Sequence, residues 1–366
     1  MGTPRPELTV RREASRARRV RRRRGALAGL ALVVLAVVLA TVVGGGGATH
    51  PTAAVGHGGA AARPPAVGGG ARGVHVTVTA AGRLPAPVQD AAVAASGSAS
   101  ALLIGGLDQS EASLSDVLRI DAGETAGAGQ AGAAVRVGSL PSATHDAAAS
   151  AVGGQVYLFG GGELTSFSTI VRVPGSGEAS PVGQLPTPRS DLTSTTIGET
   201  VYIIGGYTGQ GPLRTILAWR PGAAARVVGT LPRPLRYAAV ARQGAQIVIA
   251  GGTSGVEASA EVYRFDPASG RVASFARLPA PLTHAAAVTL HGTVLVVGGR
   301  GSETNSQTRR ILAISPSGVV SDVGTLPRAL SDVAAVALGE AALLAGGRDS
   351  AGRVQDAILR LSVRAG

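Results

Sequence analysis

Residues 278–327 read LPAPLTHAAAVTLHGTVLVVGGRGSETNSQTRRILAISPSGVVSDVGTLP, and this stretch shows the plan of most of the chain. The dipeptide His291-Gly292 and the pair Gly298-Gly299 interrupt it, and a Pro-Ser-Gly turn follows later. Short runs rich in β-branched and apolar residues between such turn signals predict antiparallel strands, here the content of one four-stranded sheet. The four predicted strands are residues 284–290, 293–297, 311–314 and 319–323.

The same plan occurs six times, each time with a Leu-Pro pair followed by a Gly-Gly pair. The first Gly comes 21 residues after the Leu once and 20 residues after it five times. Successive Leu-Pro pairs are 56, 45, 46, 47 and 48 residues apart, a period typical of propeller blades. The Leu-Pro pairs begin at Leu84, Leu140, Leu185, Leu231, Leu278 and Leu326, and the glycine pairs at Gly105, Gly160, Gly205, Gly251, Gly298 and Gly346.

These motifs resemble those of kelch-repeat β-propellers, whose blades combine a strand ending in Gly-Gly with a Leu-Pro crossover. The resemblance covers residues 74–366, six units of about 49 residues each. Kelch blades usually carry a Tyr after the glycines and a Trp near the fourth strand, of which Tyr263 and Trp219 are remnants here. The resemblance implies an all-β fold, a six-bladed propeller of four-stranded antiparallel blades.

The two ends of the repeat array predict how the propeller closes. The sixth unit ends after its third strand, residues 357–363, with no fourth strand before the C-terminus. Residues 74–79 read VHVTVT and alternate apolar with polar side chains, just before the first Leu-Pro pair. We expect this N-terminal strand to complete the sixth blade as its outermost strand, which removes an open sheet edge.

The N-terminal segment has the features of a membrane anchor. Residues 1–24 hold ten Arg and two Glu, and residues 25–43 hold no charge and would cover roughly 28 Å as a helix, close to the hydrocarbon thickness of a bilayer. The positive-inside rule predicts a cytoplasmic basic tail (1–24), a transmembrane helix acting as a signal-anchor (25–43), a Gly/Ala/Pro-rich linker (44–73) and an extracytoplasmic propeller (74–366). The localisation predicted is therefore the cell membrane, single-pass. The alternatives are a cleaved signal peptide, which would release a secreted protein, and a twin-arginine export signal.

Composition excludes several classes of function. The chain has no cysteine, so disulfides, thiolate zinc sites and cysteine nucleophiles are excluded. The 342 residues after the basic tail hold 24 Arg and 20 acidic residues, a net charge of only +4, which does not favour nucleic-acid binding. No phosphate-binding loop, nucleophile elbow or His-rich motif occurs, and we expect neither a cofactor nor a metal.

A polar position recurs six residues after each Leu of the Leu-Pro pairs. In a propeller this position opens on the same face as the loops after Gly-Gly, which carry Tyr207 and Arg300, so six side chains would form a ring at the channel mouth. Such a ring suits a sugar, a cation or a basic peptide. Hydrogen bonds to loop amides are the simpler interpretation, and a calcium or other cation site is a third. The predicted ligand-binding residues are Asp90, Asp146, Asp191, Tyr237, His284, Asp332, Arg189 and Arg236.

We interpret the propeller as a module that binds a protein, a peptide or a glycan. The sequence favours this binding role over an enzymatic one. Because some kelch propellers are sugar oxidases or sialic-acid epimerases, the resemblance implies a carbohydrate-active enzyme of the sugar epimerase type as an alternative, with Asp and His of the ring as acid and base. The oxidases depend on a Tyr–Cys crosslink that this chain cannot form, and no Asp-box motif of sialidases occurs. A non-catalytic scaffold of a membrane complex is the third class.

Overall fold

Short antiparallel strands make up nearly all of the regular structure in this computed structural model, which describes residues 74–122, 132–255 and 257–365. In these ranges no helix is long and apolar enough to cross a membrane. The predicted transmembrane segment 25–43 lies outside the described residues, as do the predicted tail 1–24 and linker 44–73.

The strands group into six blades that follow the chain in order. The N-terminal strand Val74–Arg83 (β1) belongs to blade 6. Blade 1 contains Ala92–Ala95 (β2), Ser100–Ile104 (β3), Asp116–Asp121 (β4) and, after the short Gly132–Ala133 (β5), Val135–Ser139 (β6). Blade 2 contains Ala148–Val152 (β7), Gln155–Phe159 (β8), Thr169–Val173 (β9) and, after Gly177–Glu178 (β10), Ser180–Gln184 (β11). Blade 3 contains Thr193–Ile197 (β12), Thr200–Ile204 (β13), Thr215–Trp219 (β14) and Arg226–Thr230 (β15).

The second half of the chain repeats this order. Blade 4 contains Ala239–Gln243 (β16), Gln246–Ala250 (β17), Ser259–Asp266 (β18) and Arg271–Leu282 (β19). Blade 5 contains Ala286–Leu290 (β20), Thr293–Val297 (β21), Arg310–Ile314 (β22) and Val320–Thr325 (β23). After Leu330–Ser331 (β24), blade 6 contains Ala334–Leu338 (β25), Ala341–Ala345 (β26) and, after Arg348–Asp349 (β27), Ala357–Ala365 (β28).

The prediction of a six-bladed all-β propeller with four-stranded antiparallel blades is confirmed. Within each blade consecutive strands pair antiparallel, as in the order β20-β21-β22-β23. The four strands predicted for residues 278–327 are all present, and their ends differ from the prediction by at most two residues. The hairpin residues His291 and Gly292 both have positive φ, 48° and 75°, the backbone of a tight two-residue turn.

The N-terminal strand β1 closes the ring, as the sequence predicted. It pairs antiparallel with the C-terminal strand β28, from Val74 opposite Ala365 to Arg83 opposite Ala357, and lies on the outside of blade 6. Val74, Val76 and Val78 pack inward against the apolar cluster between blades 5 and 6. The two ends of the propeller are therefore held in one sheet, and the third strand of blade 6 has no open edge.

Two short parallel pairings were not predicted. The strand β5 adds to the outer edge of β1, and β10 adds to the outer edge of β6. In both cases a loop that follows a third strand extends the outer edge of the preceding blade's sheet. Covered edges are less available for pairing with another chain.

Candidate functional site

A closed circle of backbone hydrogen bonds joins all six blades at one end of the central channel. Its members are the six residues predicted to form a ring, and each amide donates to the carbonyl oxygen of the ring residue in the preceding blade at 2.8–3.2 Å. Every member has a left-handed backbone, with φ between 53° and 59°. We call this set the mouth ring: Asp90, Asp146, Asp191, Tyr237, His284 and Asp332.

The left-handed backbone explains part of the ring's composition. Asp and His adopt this region more readily than most residues, because short polar side chains can hydrogen-bond locally. A bulky aromatic residue such as Tyr237 does so rarely. The backbone of the ring therefore joins the blades, and the six polar side chains line the channel mouth.

A cavity of about 190 Å³ begins at the mouth ring and continues into the channel. Directly below the polar ring its wall is apolar, made of the residues that come just before the innermost strands. Further in, a layer that includes Val93, Ser194 and Val240 also borders a second cavity of about 300 Å³ at the opposite end of the channel. The wall directly beneath the mouth ring consists of Ala91, Ala147, Leu192, Ala238, Ala285 and Val333.

Four consecutive blades, 6, 1, 2 and 3, place carboxyl groups side by side on the mouth ring. Burial raises the pKa of Asp90 well above its usual value, and the charges of Asp332 and Asp146 and a hydrogen bond to the Asp332 carboxyl raise it further. Burial also raises the pKa of Asp146 well above its usual value, with contributions from Asp191 and Asp332. In the part of the chain that the structure describes, neither Asp90 nor Asp332 forms an ion pair.

Asp191 has a cationic partner. Its side chain is only 3% exposed, and its Oδ2 lies 2.6 Å from Nη2 of Arg236. Burial raises the pKa of Asp191, while Arg236 opposes that shift. The guanidinium of Arg236 also lies 4.5 Å from the ring centroid of Tyr207 and 4.7 Å from that of Tyr237. Although burial disfavours its charge, the nearby Asp191 carboxylate raises the pKa of Arg236.

The rest of the mouth ring is aromatic. Tyr237 and His284 stack with their ring centroids 3.7 Å apart and their planes 23° apart. Burial lowers the pKa of His284 to about 4, so the imidazole is neutral at neutral pH. Its Nε2 lies 3.2 Å from Nη2 of Arg300 and accepts that hydrogen bond, which leaves the proton on Nδ1. Nδ1 is buried and has no partner among the described residues.

Arg189 does not face the cavity. Its side chain is 1% exposed and lies within blade 3, where Nη1 donates to the carbonyl oxygen of Gly205 at 3.0 Å and Nη2 donates to the Thr215 hydroxyl at 3.3 Å. Burial lowers its pKa to about 10. The structure thus brings together seven of the eight predicted residues and places Arg189 in a supporting position.

Tyr207 and Arg300 lie outside the predicted set but contact Arg236 and His284 at the mouth. Tyr207 and Arg300 each directly follow a Gly-Gly pair, and from the sequence they were predicted only to be loop residues on the same face. Their backbones bridge to the residues before Asp191 and His284, which brings Tyr207 against Arg236 and Arg300 against His284. The position after Gly-Gly is the sequence signal that would have included them. Across residues 74–122, 132–255 and 257–365 no group of three or more His or acidic side chains has the arrangement of a metal site.

The comparisons with known proteins agree with this architecture. Residues 188–223, which span Asp191, the pair Gly205-Gly206 and Trp219, match the family model of the Kelch motif. The chain is a six-bladed β-propeller with a Kelch motif at residues 188–223.

Likeness to solved structures concerns the propeller fold of the chain and does not extend to a ligand. The solved structure described as "Structure of YjhT" has a TM-score of 0.66 at 14% sequence identity, and the alignment covers 77% of this chain and 99% of that one. With 652 solved chains matching, the shared architecture is too common to assign a function. No curated protein matches the chain.

Proposed function

We propose that this kelch propeller is a binding module that receives a cationic group of a protein or peptide partner at the mouth ring. The observation that carries the proposal is the acidic part of the ring, where Asp90 and Asp332 face the cavity without an ion pair among the described residues. A cavity of about 190 Å³ is smaller than the roughly 300–1,000 Å³ of drug-sized sites. It therefore suits one side chain or one chain terminus.

The aromatic part of the ring favours a cation over a sugar. Sugar-binding sites use a free aromatic face, but the ring of Tyr237 already stacks on His284 and contacts the guanidinium of Arg236. Tyr207 is likewise in contact with Arg236. The carboxyl groups, in contrast, gain stabilisation from an incoming positive charge, because their neighbours are other carboxyl groups.

The pKa shifts predict how binding depends on pH. Since burial and neighbouring carboxyl groups raise the pKa of Asp90 and of Asp146, protons compete with a cation for these groups. A bound cation favours the ionised form, so binding releases protons. The affinity should therefore rise with pH until both carboxyl groups are ionised in the free protein.

The test is an array of peptides with Lys or Arg side chains, probed with the purified full chain. Matched peptides carry acetyl-lysine or citrulline, which remove the charge. The double variant Asp90→Asn with Asp146→Asn keeps residues that tolerate the left-handed backbone, and it should bind roughly 30-fold more weakly, corresponding to about 2 kcal/mol. The control is Asp322→Asn, which removes an exposed carboxylate paired with Arg310 on the outer strand of blade 5.

Capture that depends on the peptide charge, rises with pH and is lost only in the double variant would support the proposal. Capture unaffected by the double variant would place the binding surface elsewhere on the propeller. Binding of glycans in preference to peptides would favour a glycan-binding module. Binding of neither would favour a non-catalytic scaffold role.

Acid–base chemistry on a sugar, of the epimerase type, is the second candidate. A specific observation favours it: a neutral His284 and carboxyl groups with raised pKa values face one cavity. Incubating the chain with a panel of sugars in D₂O would reveal exchange at a ring carbon by NMR. Exchange lost in His284→Gln would support catalysis, and no exchange with any sugar in the panel would leave the binding role.

We further propose that the propeller is displayed outside the cell on a single-pass anchor. The uncharged residues 25–43 and the Arg-rich residues 18–24 before them support this topology. Protease added to intact cells should degrade the propeller and leave a short membrane-bound fragment. A full-length chain in the culture medium would instead indicate a secreted protein.

A further inference from the structure

Tyr237 breaks the pattern of the mouth ring. Four of the six blades place Asp at this position, whereas blade 4 places a bulky aromatic residue there with φ of 53°. A left-handed backbone is costly for such a side chain, so the surrounding contacts must hold it in place. Those contacts show what this side chain does.

The side chain of Tyr237 reaches past the neighbouring blade. Its backbone amide bonds to Asp191 of blade 3, but its hydroxyl donates to Oδ2 of Asp146 in blade 2 at 3.0 Å. Its ring stacks on His284 of blade 5, and Nη2 of Arg236 lies 3.2 Å from its hydroxyl oxygen. One phenol ring therefore connects groups on blades 2, 4 and 5 around the axis.

We propose that Tyr237 closes the mouth of the cavity and that its hydroxyl occupies the place of the ligand's donor group on Asp146. This inference rests on the proposed function, because it concerns the same site. The Tyr237 hydroxyl lies 3.0 Å from Oδ2 of Asp146, closer than Nε2 of His145 at 3.7 Å, so this hydrogen bond stabilises the closed state without ligand. A ligand enters by displacing the hydroxyl.

The exchange makes Tyr237 a specificity-determining residue. A ligand with an N–H donor, such as an alkylammonium ion, replaces the lost bond to Asp146, and its alkyl part lies against the apolar wall formed by Ala147 and Leu192. A ligand without a donor leaves Oδ2 of Asp146 without its shortest hydrogen bond, which is unfavourable for a buried carboxyl oxygen. The ammonium can be the side chain of a lysine or a free small amine, since both offer the same group.

The experiment compares the full-length protein with two matched variants by calorimetry. Tyr237→Phe removes the hydroxyl and keeps the stacked ring, while Tyr202→Phe removes the hydroxyl of a half-buried ring on β13 that packs on Phe265 and does not line the mouth cavity. The probes are butylammonium, butyltrimethylammonium and a lysine-containing peptide. We expect Tyr237→Phe to bind butylammonium about three- to tenfold more tightly, because no hydrogen bond has to be broken. Tyr202→Phe should match the unmodified protein.

Butyltrimethylammonium carries the same charge without an N–H donor, so it tests the exchange directly. We expect it to bind more weakly than butylammonium to the unmodified protein. Equal affinity of the two ions would overturn the exchange, and so would equal affinity of butylammonium for Tyr237→Phe and the unmodified protein. The peptide arm distinguishes a lysine side chain from a free amine as the source of the group.

A second measurement needs no ligand. The hydrogen bond from Tyr237 opposes the rise in the pKa of Asp146, so Tyr237→Phe should raise that pKa further, as followed by carboxyl ¹³C NMR. An unchanged pKa would show that the closure is absent in solution and would overturn the inference. Binding of no ammonium probe by either protein would reject both the closure and the proposed function, whereas equal binding by both proteins rejects the closure alone.

Discussion

The first glycine of each Gly-Gly pair lies against the backbone of the next blade. In all six blades this glycine has a positive φ, between 59° and 68°. A Cβ atom there would overlap a carbonyl oxygen of the neighbouring blade, that of Leu235 in the case of Gly205. The circle of close contacts closes at Gly346, which meets the carbonyl oxygen of Val88 in blade 1. These glycines therefore set how closely adjacent blades can approach near the axis.

Substituting Gly205 separates the cost of close approach from the cost of a positive φ. Gly198, in the hairpin turn before β13, has φ of 58° and open space around its Cβ position, whereas Gly205 has φ of 59° and no space. Gly198→Ala should lower the free energy of unfolding by about 1–2 kcal/mol, the cost of the left-handed backbone alone. Gly205→Ala should lower it by at least about 3 kcal/mol, because the blades must also move apart.

Urea denaturation of both variants measures the difference. Equal losses of stability for Gly205→Ala and Gly198→Ala would mean that backbone conformation alone accounts for the Gly-Gly pairs. A larger loss for Gly205→Ala, with an unchanged m-value, would assign the difference to the contact between blades.

How far the site could be predicted is clearest from single residues. The fixed distance from each Leu-Pro pair located the six members of the mouth ring, because one sequence position maps to one place in every blade. The same logic failed for Arg189. Its neighbour Asp191 points to the axis, but a side chain two residues earlier turns into the blade, where it meets the Gly205 carbonyl. Side-chain direction at the crossover depends on local backbone angles that repeat spacing does not encode.

Between blades 2 and 3, the packing is aromatic. The indole of Trp219, on the third strand of blade 3, makes edge-to-face contacts with Tyr157 and Phe159, on the second strand of blade 2, at centroid distances of 4.9 and 5.2 Å. Trp219 is 3% exposed and belongs to the apolar cluster between these two blades. The single Trp of the chain is therefore an interblade residue.

Truncating this residue should weaken one blade interface strongly. Trp219→Ala is expected to cost about 3–5 kcal/mol, the range for deleting a large buried aromatic side chain. Trp219→Phe keeps an aromatic ring in the same cluster and should cost clearly less. Calorimetric melting of both variants checks the order, and a similar loss for the two would mean that the aromatic contacts add nothing beyond the indole's own volume.

The ends of the strands could be predicted from the sequence where turn residues mark them. The second strands end at Gly-Gly pairs, and the turn at His291 and Gly292 marks the adjoining ends of β20 and β21, so these bounds agreed with the sequence. The parallel additions β5 and β10 could not be predicted, since Gly132 and Gly177 pair with an edge that exists only after the neighbouring blade has formed. The long strand β19 similarly continues through the Leu278-Pro279 crossover, where a strand end was expected.

At the scale of the whole molecule, closure depends on one strand. The strand β1 alternates, with Val76 and Val78 turned toward the cluster between blades 5 and 6 and Thr77 and Thr79 exposed. It pairs along nearly its full length with β28, so ends that are far apart in sequence share one sheet. Because each blade contacts mainly its two neighbours, loss of this strand would expose an edge and loosen the entire ring.

Placing a charge on either face of β1 tests this dependence with a matched control. Val76→Asp places a carboxylate on the half-buried apolar face and should lower the free energy of unfolding by about 2–3 kcal/mol, whereas Thr77→Asp on the exposed face should change it by less than about 0.5 kcal/mol. If β1 is the closing element, Val76→Asp should also speed amide hydrogen exchange in β28, around Val363, which pairs with residue 76. This exchange should become faster under conditions where the propeller as a whole stays folded. Exchange that stays protected in β28 while global stability falls would show that the valine matters only as part of the apolar core. Faster local exchange in Val76→Asp, absent in Thr77→Asp, would identify the seam between the two chain ends as the first part of the propeller to open.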